Sequence, residues 1–225
     1  MLFRSVKWIP SNIGLVFPEI KAVEVFGCSI ETLEEKSFQK MIKLTFLNLI
    51  RNKIESIHEK AFQDLVALRF LLLSMNNIQF LSSNLFNSLK ALKLLNMERN
   101  QIQYISPTTF AQLKNLEELR LSDNAVDYLD ESVFSTLANL KMLSMSQNLL
   151  YQIFDNLFNS NVNLEEIKLN GNQINFINSS AFDSMRSLQS VDLRNNLCLN
   201  KFYDDFDEMF NDIKINCSGS LKVSR

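Results

Sequence analysis

The sequence predicts an α/β repeat solenoid, and three observations carry the prediction. Asn52, Asn76, Asn100, Asn124, Asn148, Asn172 and Asn196 recur every 24 residues without a break. Phe38, Phe62, Phe86, Phe110, Phe134, Phe158 and Phe182 keep the same interval in another phase. Each unit also carries an aliphatic ladder, such as Leu44, Leu47 and Leu49, or Leu116, Leu119 and Leu121. Self-similarity at one fixed period marks stacked units, none of which buries its apolar face alone.

Each part of the unit has a physical role. The L-x-L alternation is a short strand with one buried face. Eight parallel strands, stacked roughly 4.8 Å apart, would form a concave sheet. After each strand the chain turns away with its backbone groups still buried, and an unpaired group costs about 1 to 3 kcal/mol. An inward Asn amide, with two donors and an acceptor, is expected to bridge neighbouring turns. The Phe column then fills an irregular or 3-10 convex side, each ring contributing roughly 1.5 to 3 kcal/mol through burial. Cys28 takes the Asn position in the first full unit and reads as an inert core thiol. Asn161 stands where Leu65 and Leu113 stand in their repeats, and Val162 is expected to fill in for it with a local kink.

A solenoid must cover its terminal repeats. Beyond Leu193, the residues Phe202, Phe206, Met209, Phe210 and Ile213 fall on one face of a helix. Asn200 is expected to cap it, with Asp204 and Asp205 suiting its positive first turn. At the other end Val6, Ile9 and Phe17 fit the tail of an earlier unit, but Gly14 replaces its Phe. The strand at Ile20–Val25 would then have a poorly covered edge. The expected division is a partial, truncated repeat at 1–19, repeats at 20–197 and a helical cap at 198–225. Upstream repeats, a cap and a signal peptide are expected to be missing from this chain.

Composition removes several function classes. With 225 residues, 46% hydrophobic and 21% charged, the chain suits one sizeable core. Its 23 basic and 25 acidic residues leave no charge excess for phosphates or anionic lipid, so no nucleic-acid partner is expected. No apolar run approaches the roughly 18 residues of a membrane span, and no membrane insertion by this chain is expected. There is no G-x-S-x-G, no H-E-x-x-H, no phosphate-cradling glycine loop and no paired C-x-x-C. The one histidine, His58, reads as a solvated turn residue, and Asp204, Asp205, Asp207 and Glu208 read as a solvated helix face. Neither enzymatic activity nor a cofactor or metal is expected.

The unit LVALRFLLLSMNNIQFLSSNLFNSL, from Leu65 to Leu89, resembles the "typical" extracellular class of leucine-rich repeats, and the resemblance covers about residues 17 to 200. It implies a horseshoe that binds a protein on its concave face, in company such as Toll-like receptor ectodomains and secreted leucine-rich repeat proteins of invertebrate innate immunity. Cys198 and Cys217 then resemble a two-cysteine form of the C-terminal flank of such proteins. That pairing implies a disulfide worth about 3 kcal/mol. Two reduced thiols in a cytosolic scaffold or enzyme-regulatory subunit remain the other reading. Asn178-Ser179-Ser180 and Asn216-Cys217-Ser218 have the form of glycan acceptors, as an extracellular protein would carry.

The period also sorts the outward-facing residues into columns. One runs Ala22, Phe46, Phe70, Leu94, Glu118, Met142, Glu166, Ser190. Its neighbour runs Glu24, Asn48, Leu72, Asn96, Arg120, Ser144, Lys168, Asp192, and the next begins Phe26, Ile50, Ser74, Glu98. Phe26, Phe46, Ile50, Phe70, Leu72, Met75 and Leu94 have no folding role in this register and form the expected contact patch. Arg99, Glu118, Arg120, Asp123, Lys168, Asp192 and Arg194 are expected to add orientation and specificity. The expected partner is a protein ligand, with pairing to a like or unlike chain also compatible.

Overall fold

A computed structural model describes residues 1, 6–10 and 12–218. Eight parallel strands form the concave sheet: Ala22–Glu24, Phe46–Asn48, Phe70–Leu72, Leu94–Asn96, Glu118–Arg120, Met142–Ser144, Glu166–Lys168 and Ser190–Asp192. They pair in chain order, each residue opposite the one 24 positions on, as in Val23 opposite Leu47 and Leu119 opposite Leu143. The middle residue of every strand is buried, and its neighbours face outward. The convex side consists of successive turns, closed by bonds such as Leu65 N–H to Phe62 O at 3.1 Å.

Both predicted ladders are built. Asn76 is typical: its Oδ1 accepts from Ile54 N at 3.0 Å, and its Nδ2 donates to Leu49 O at 3.0 Å and Leu73 O at 2.9 Å. One amide thus joins the turns of two repeats. Rings from Phe38 to Phe182 stack along the return side with centroids 5.9 to 6.5 Å apart. Cys28 lies buried at the head of the Asn column, its Sγ 3.7 Å from Phe26 O.

A third column escaped the sequence reading. Gly27, Arg51, Met75, Arg99, Asp123, Gln147, Gly171 and Asn195 all have positive φ, between 54° and 70°. Each sits just before the Asn-ladder position, where the chain reverses out of the sheet. Only Gly27 and Gly171 are free of the Cβ that makes this conformation costly.

Several expectations are corrected. Val162 does not replace the missing leucine: it is exposed, and Asn161 itself turns into the core. There Asn161 Nδ2 donates to Phe134 O at 3.0 Å and Leu137 O at 2.9 Å. Among the described residues its Oδ1 has no hydrogen-bond partner. Asn200 does not cap the C-terminal helix. That helix spans Phe206–Asn216, and Asp205 caps it by accepting from Glu208 N. Asn200 instead accepts from Asn195 N at 2.7 Å. Phe202 is not on the helix either; Phe202–Tyr203 is an antiparallel strand closing the sheet beside Ser190–Asp192, with Tyr203 buried and Phe202 exposed.

The first strand is better covered than expected. Met1 bonds along its outer edge, its amine donating to Ala22 O and its carbonyl accepting from Glu24 N, each at 2.8 Å. Ile9 and Ile13 are buried against the core, whereas Phe17 is exposed. Gly14 lies in the short helix Ile13–Val16, where an added Cβ would stand 2.2 Å from Gln39 O. Close backbone approach therefore replaces the ring that the period called for. Other expected parts of the two ends, at 2–5, 11 and 219–225, lie outside the described residues.

Candidate protein-binding face

The strands carry the predicted columns in register: Phe46 opposite Phe70, Phe70 opposite Leu94, Leu94 opposite Glu118. Pairing forces this, since a parallel strand keeps alternate side chains on one face and the 24-residue step preserves the phase. In the first half of the sheet the outward apolar residues gather, with Glu24, Asn48 and Asn96 among them. Phe26 is 46% exposed and Phe70 39%, while Phe46, Ile50, Leu72, Met75 and Leu94 are half-buried. Phe46 and Phe70 lean on each other, ring centroids 6.5 Å apart at 50°. Their contact covers part of each ring and leaves the rest outward.

Arg51 was absent from the sequence reading and belongs to this patch. Its guanidinium lies 5.8 Å from the centroid of Phe26, and its Nε donates to Met75 Sδ at 3.2 Å. It links Phe26 to Met75, in the repeats on either side of its own. It stands 24 positions before Met75, in the column that also supplies Arg99 and Asp123, and following that column one step back reveals it.

The second half of the sheet is charged, but its charges are spent on one another. Arg120 pairs with Glu118, Lys168 with Glu166 at 3.1 Å, Arg194 with Asp192 at 2.6 Å and Arg99 with Asp123 at 3.8 Å. The first three pairs join outward residues two apart. Burial pushes the Asp192 carboxyl up, yet the hydrogen bonds and charge of Arg194, with Lys168 beyond, hold it below the usual carboxylate range. Between these pairs Ser122 and Ser144 share a hydroxyl bond of 2.6 Å, and Ser146 Oγ donates to Asn170 Oδ1 at 2.6 Å. The concave face is thus an apolar field followed by a neutralised polar one.

A disulfide joins Cys198 and Cys217, with Cα atoms 5.3 Å apart. Asn178 is half-buried, its Oδ1 accepting from Ser180 N at 3.0 Å and Ser180 Oγ at 2.8 Å. Asn216 is exposed at the helix end, where Ser218 Oγ donates to Ile213 O at 3.0 Å. The acidic run is also engaged: Asp205 caps the helix and Glu208 pairs with Lys201. Among the described residues no His, Cys, Asp and Glu gather as a metal site, and no helix is long and apolar enough to cross a membrane.

A parallel concave sheet, an inward Asn ladder and a stacked Phe column define a leucine-rich repeat solenoid. The chain belongs to the leucine-rich repeat family: residues 82–206 match the BspA type leucine rich repeat region in 6 copies, and residues 18–78 match a second leucine rich repeat description. No curated protein matches in sequence. Among solved structures, the chain is similar to the crystal structure of the TLR13–ssRNA13 complex at 30% identity and TM-score 0.79, over 84% of this chain and 27% of that one. It shares the fold of a chain in the octameric complex of Latrophilin 3 (Lec, Olf), Unc5D (Ig, Ig2, TSP1) and FLRT2 (LRR), at 23% identity and TM-score 0.71, over 87% of this chain and 66% of that one. The chain therefore spans only part of each relative.

Proposed function

We propose that this chain is a non-catalytic recognition module, secreted or part of a larger ectodomain, that takes a protein ligand on its concave face. One observation carries the reading: Phe26, Phe46, Ile50, Phe70, Leu72, Met75 and Leu94 stand outward, exposed or half-buried, on the first strands and the turns after them, over a core that is already filled. Surface of this kind marks contacts, and its aromatic rings are the side chains that dominate interface energies. The pairing of Arg99, Arg120, Lys168 and Arg194 with carboxylates argues against a polyanion on this face. The disulfide supports an oxidising compartment, in which Asn178 and Asn216 would be glycan acceptors.

The test is a double substitution, Phe46→Ser with Phe70→Ser, compared with the unaltered chain in cross-linking and affinity capture from the source's extracellular fluid. Both rings are outward, so the melting curve should stay close to the parent's. The captured protein should be lost, and capture by the unaltered chain should persist at high salt. Retained capture by the double variant would move the site elsewhere. Peptide mapping without reductant tests the compartment: a Cys198–Cys217 peptide pair with sugar on Asn178 supports the outside, and reduced thiols support the intracellular scaffold.

A further inference from the structure

A second surface stands apart from the concave face. The short parallel pairs Thr32–Leu33 with Ser56–Ile57, and Gln152–Ile153 with Phe176–Ile177, run along one flank, just beyond the Asn-ladder turn. Their first positions belong to one 24-residue column, which continues through the middle repeats as Phe80, Tyr104 and Tyr128. The rings are 73%, 58% and 38% exposed. They do not fill a core, and among the described residues only Tyr128 contacts another ring, that of Phe154 at 6.2 Å and nearly edge-on.

Within the repeats that carry them, the surroundings of these rings are polar and lack positive charge; the preceding repeat carries Lys53 and Lys60. Residues 76–89, 100–113, 124–140, 147–164 and 169–185 contain neither Lys nor Arg, although 23 such residues occur in the chain. Basic side chains of these repeats fall instead on the concave face or just before the strands. Around the rings stand Gln79, Gln101, Gln103 and Asp127, with Gln79 Nε2 donating to Gln101 Oε1 at 3.2 Å. A polyanion or an anionic lipid surface laid along the three rings finds no cation in their own repeats. The apolar core of a protein interface would need a broad contiguous apolar surface, whereas this stripe is one ring wide, with Gln79, Gln103 and Asp127 beside the rings in sequence.

We propose that this flank is a docking surface for an extended, neutral glycan lying along the solenoid axis. A pyranose has a face of C–H groups, which stacks on an aromatic ring, and a rim of hydroxyls, which both donate to and accept from carboxamides and carboxylates. The repeat sets one ring per unit along the solenoid axis, so an extended chain lying along that axis meets the rings as a series of separate platforms. Phe80, Tyr104 and Tyr128 supply the stacking platforms; Gln79, Gln101, Gln103 and Asp127 supply the rim contacts.

Calorimetric titration of the whole chain with cellohexaose, laminarihexaose and N-acetylated chitohexaose tests this. At least one should bind, with an affinity that high salt leaves unchanged. Tyr104→Ala should weaken it about tenfold, the scale of one ring contact, and Phe80→Ala with Tyr104→Ala should abolish measurable binding. Because both side chains are exposed, these variants should melt with the parent. The concave double variant Phe46→Ser with Phe70→Ser should bind the saccharide normally, which separates this surface from the protein-binding reading. Failure of all three saccharides to bind would overturn the proposal. So would undiminished binding by the flank variants, or a dimer in sedimentation equilibrium that dissociates on Tyr104→Ala, which would assign the stripe to contact between two copies.

Discussion

Asn124 shows how much one side chain carries in this fold. Its Oδ1 accepts from Ile102 N at 3.0 Å, while its Nδ2 donates to Met97 O and Leu121 O, both at 3.0 Å. Three backbone groups from two repeats depend on it, and each would cost about 1 to 3 kcal/mol if left unpaired. Relaxation and water will recover part of that sum, so Asn124→Ala should destabilise by about 3 kcal/mol in urea unfolding. Asn115 is the control: it also donates to a backbone carbonyl, Lys90 O at 2.8 Å, but in an exposed setting. Asn115→Ala should change stability by no more than about 0.5 kcal/mol. Equal losses at the two sites would show that burial is not what gives the ladder its weight. The same distinction explains Asn161. Its position predicts a leucine, but an amide there meets the carbonyls of Phe134 and Leu137, so the core accepts it without needing Val162.

At the scale of elements, the C-terminal cap was partly legible. Met209 and Ile213 are buried as the helical spacing requires. The helix start was misread because Phe202 and Phe206, four apart, also satisfy that spacing. Sheet pairing decides otherwise: Leu193 N donates to Lys201 O at 3.0 Å and Val191 stands opposite Tyr203, so extended backbone here satisfies the last strand's edge. Tyr203 then turns inward, where burial and its hydrogen bond to Asp212, at 2.9 Å, raise its pKa well above the usual phenolic range. The disulfide ties this cap to the last repeat across 19 residues. Cys217→Ser should cost about 3 kcal/mol, the loop-closure scale for such a length. Hydrogen exchange should show the loss first in the Phe206–Asn216 helix. Unchanged helix protection would mean that packing of Met209 and Ile213 alone holds the cap.

Over the whole molecule, whatever repeats is legible and whatever interrupts the repeat is not. The period gave the sheet, its register and the patch around Phe46 and Phe70, because a fixed 24-residue step keeps every column on one face. The positive-φ column was hidden because its residue types, Arg, Met, Asp, Gln and Asn as well as Gly, share no chemistry. The aromatic flank was hidden because an exposed ring and a buried one look alike in sequence. Periodicity also dictates how the molecule should come apart. Phe110 stacks on Phe86 at 6.2 Å and Phe134 at 6.5 Å, whereas Phe38, at the end of the column, stacks among the described residues on Phe62 alone. In a solenoid, stability is close to a sum of unit and nearest-neighbour terms. Removing either buried ring should cost about 3 to 5 kcal/mol, but only the central loss separates two flanking blocks. Phe110→Ala should therefore broaden or split the urea transition, with amide exchange rising on both sides of the lesion. Phe38→Ala should fray the first repeats and leave the main transition sharp. A single sharp transition in both variants would mean that coupling along the array reaches well beyond adjacent repeats.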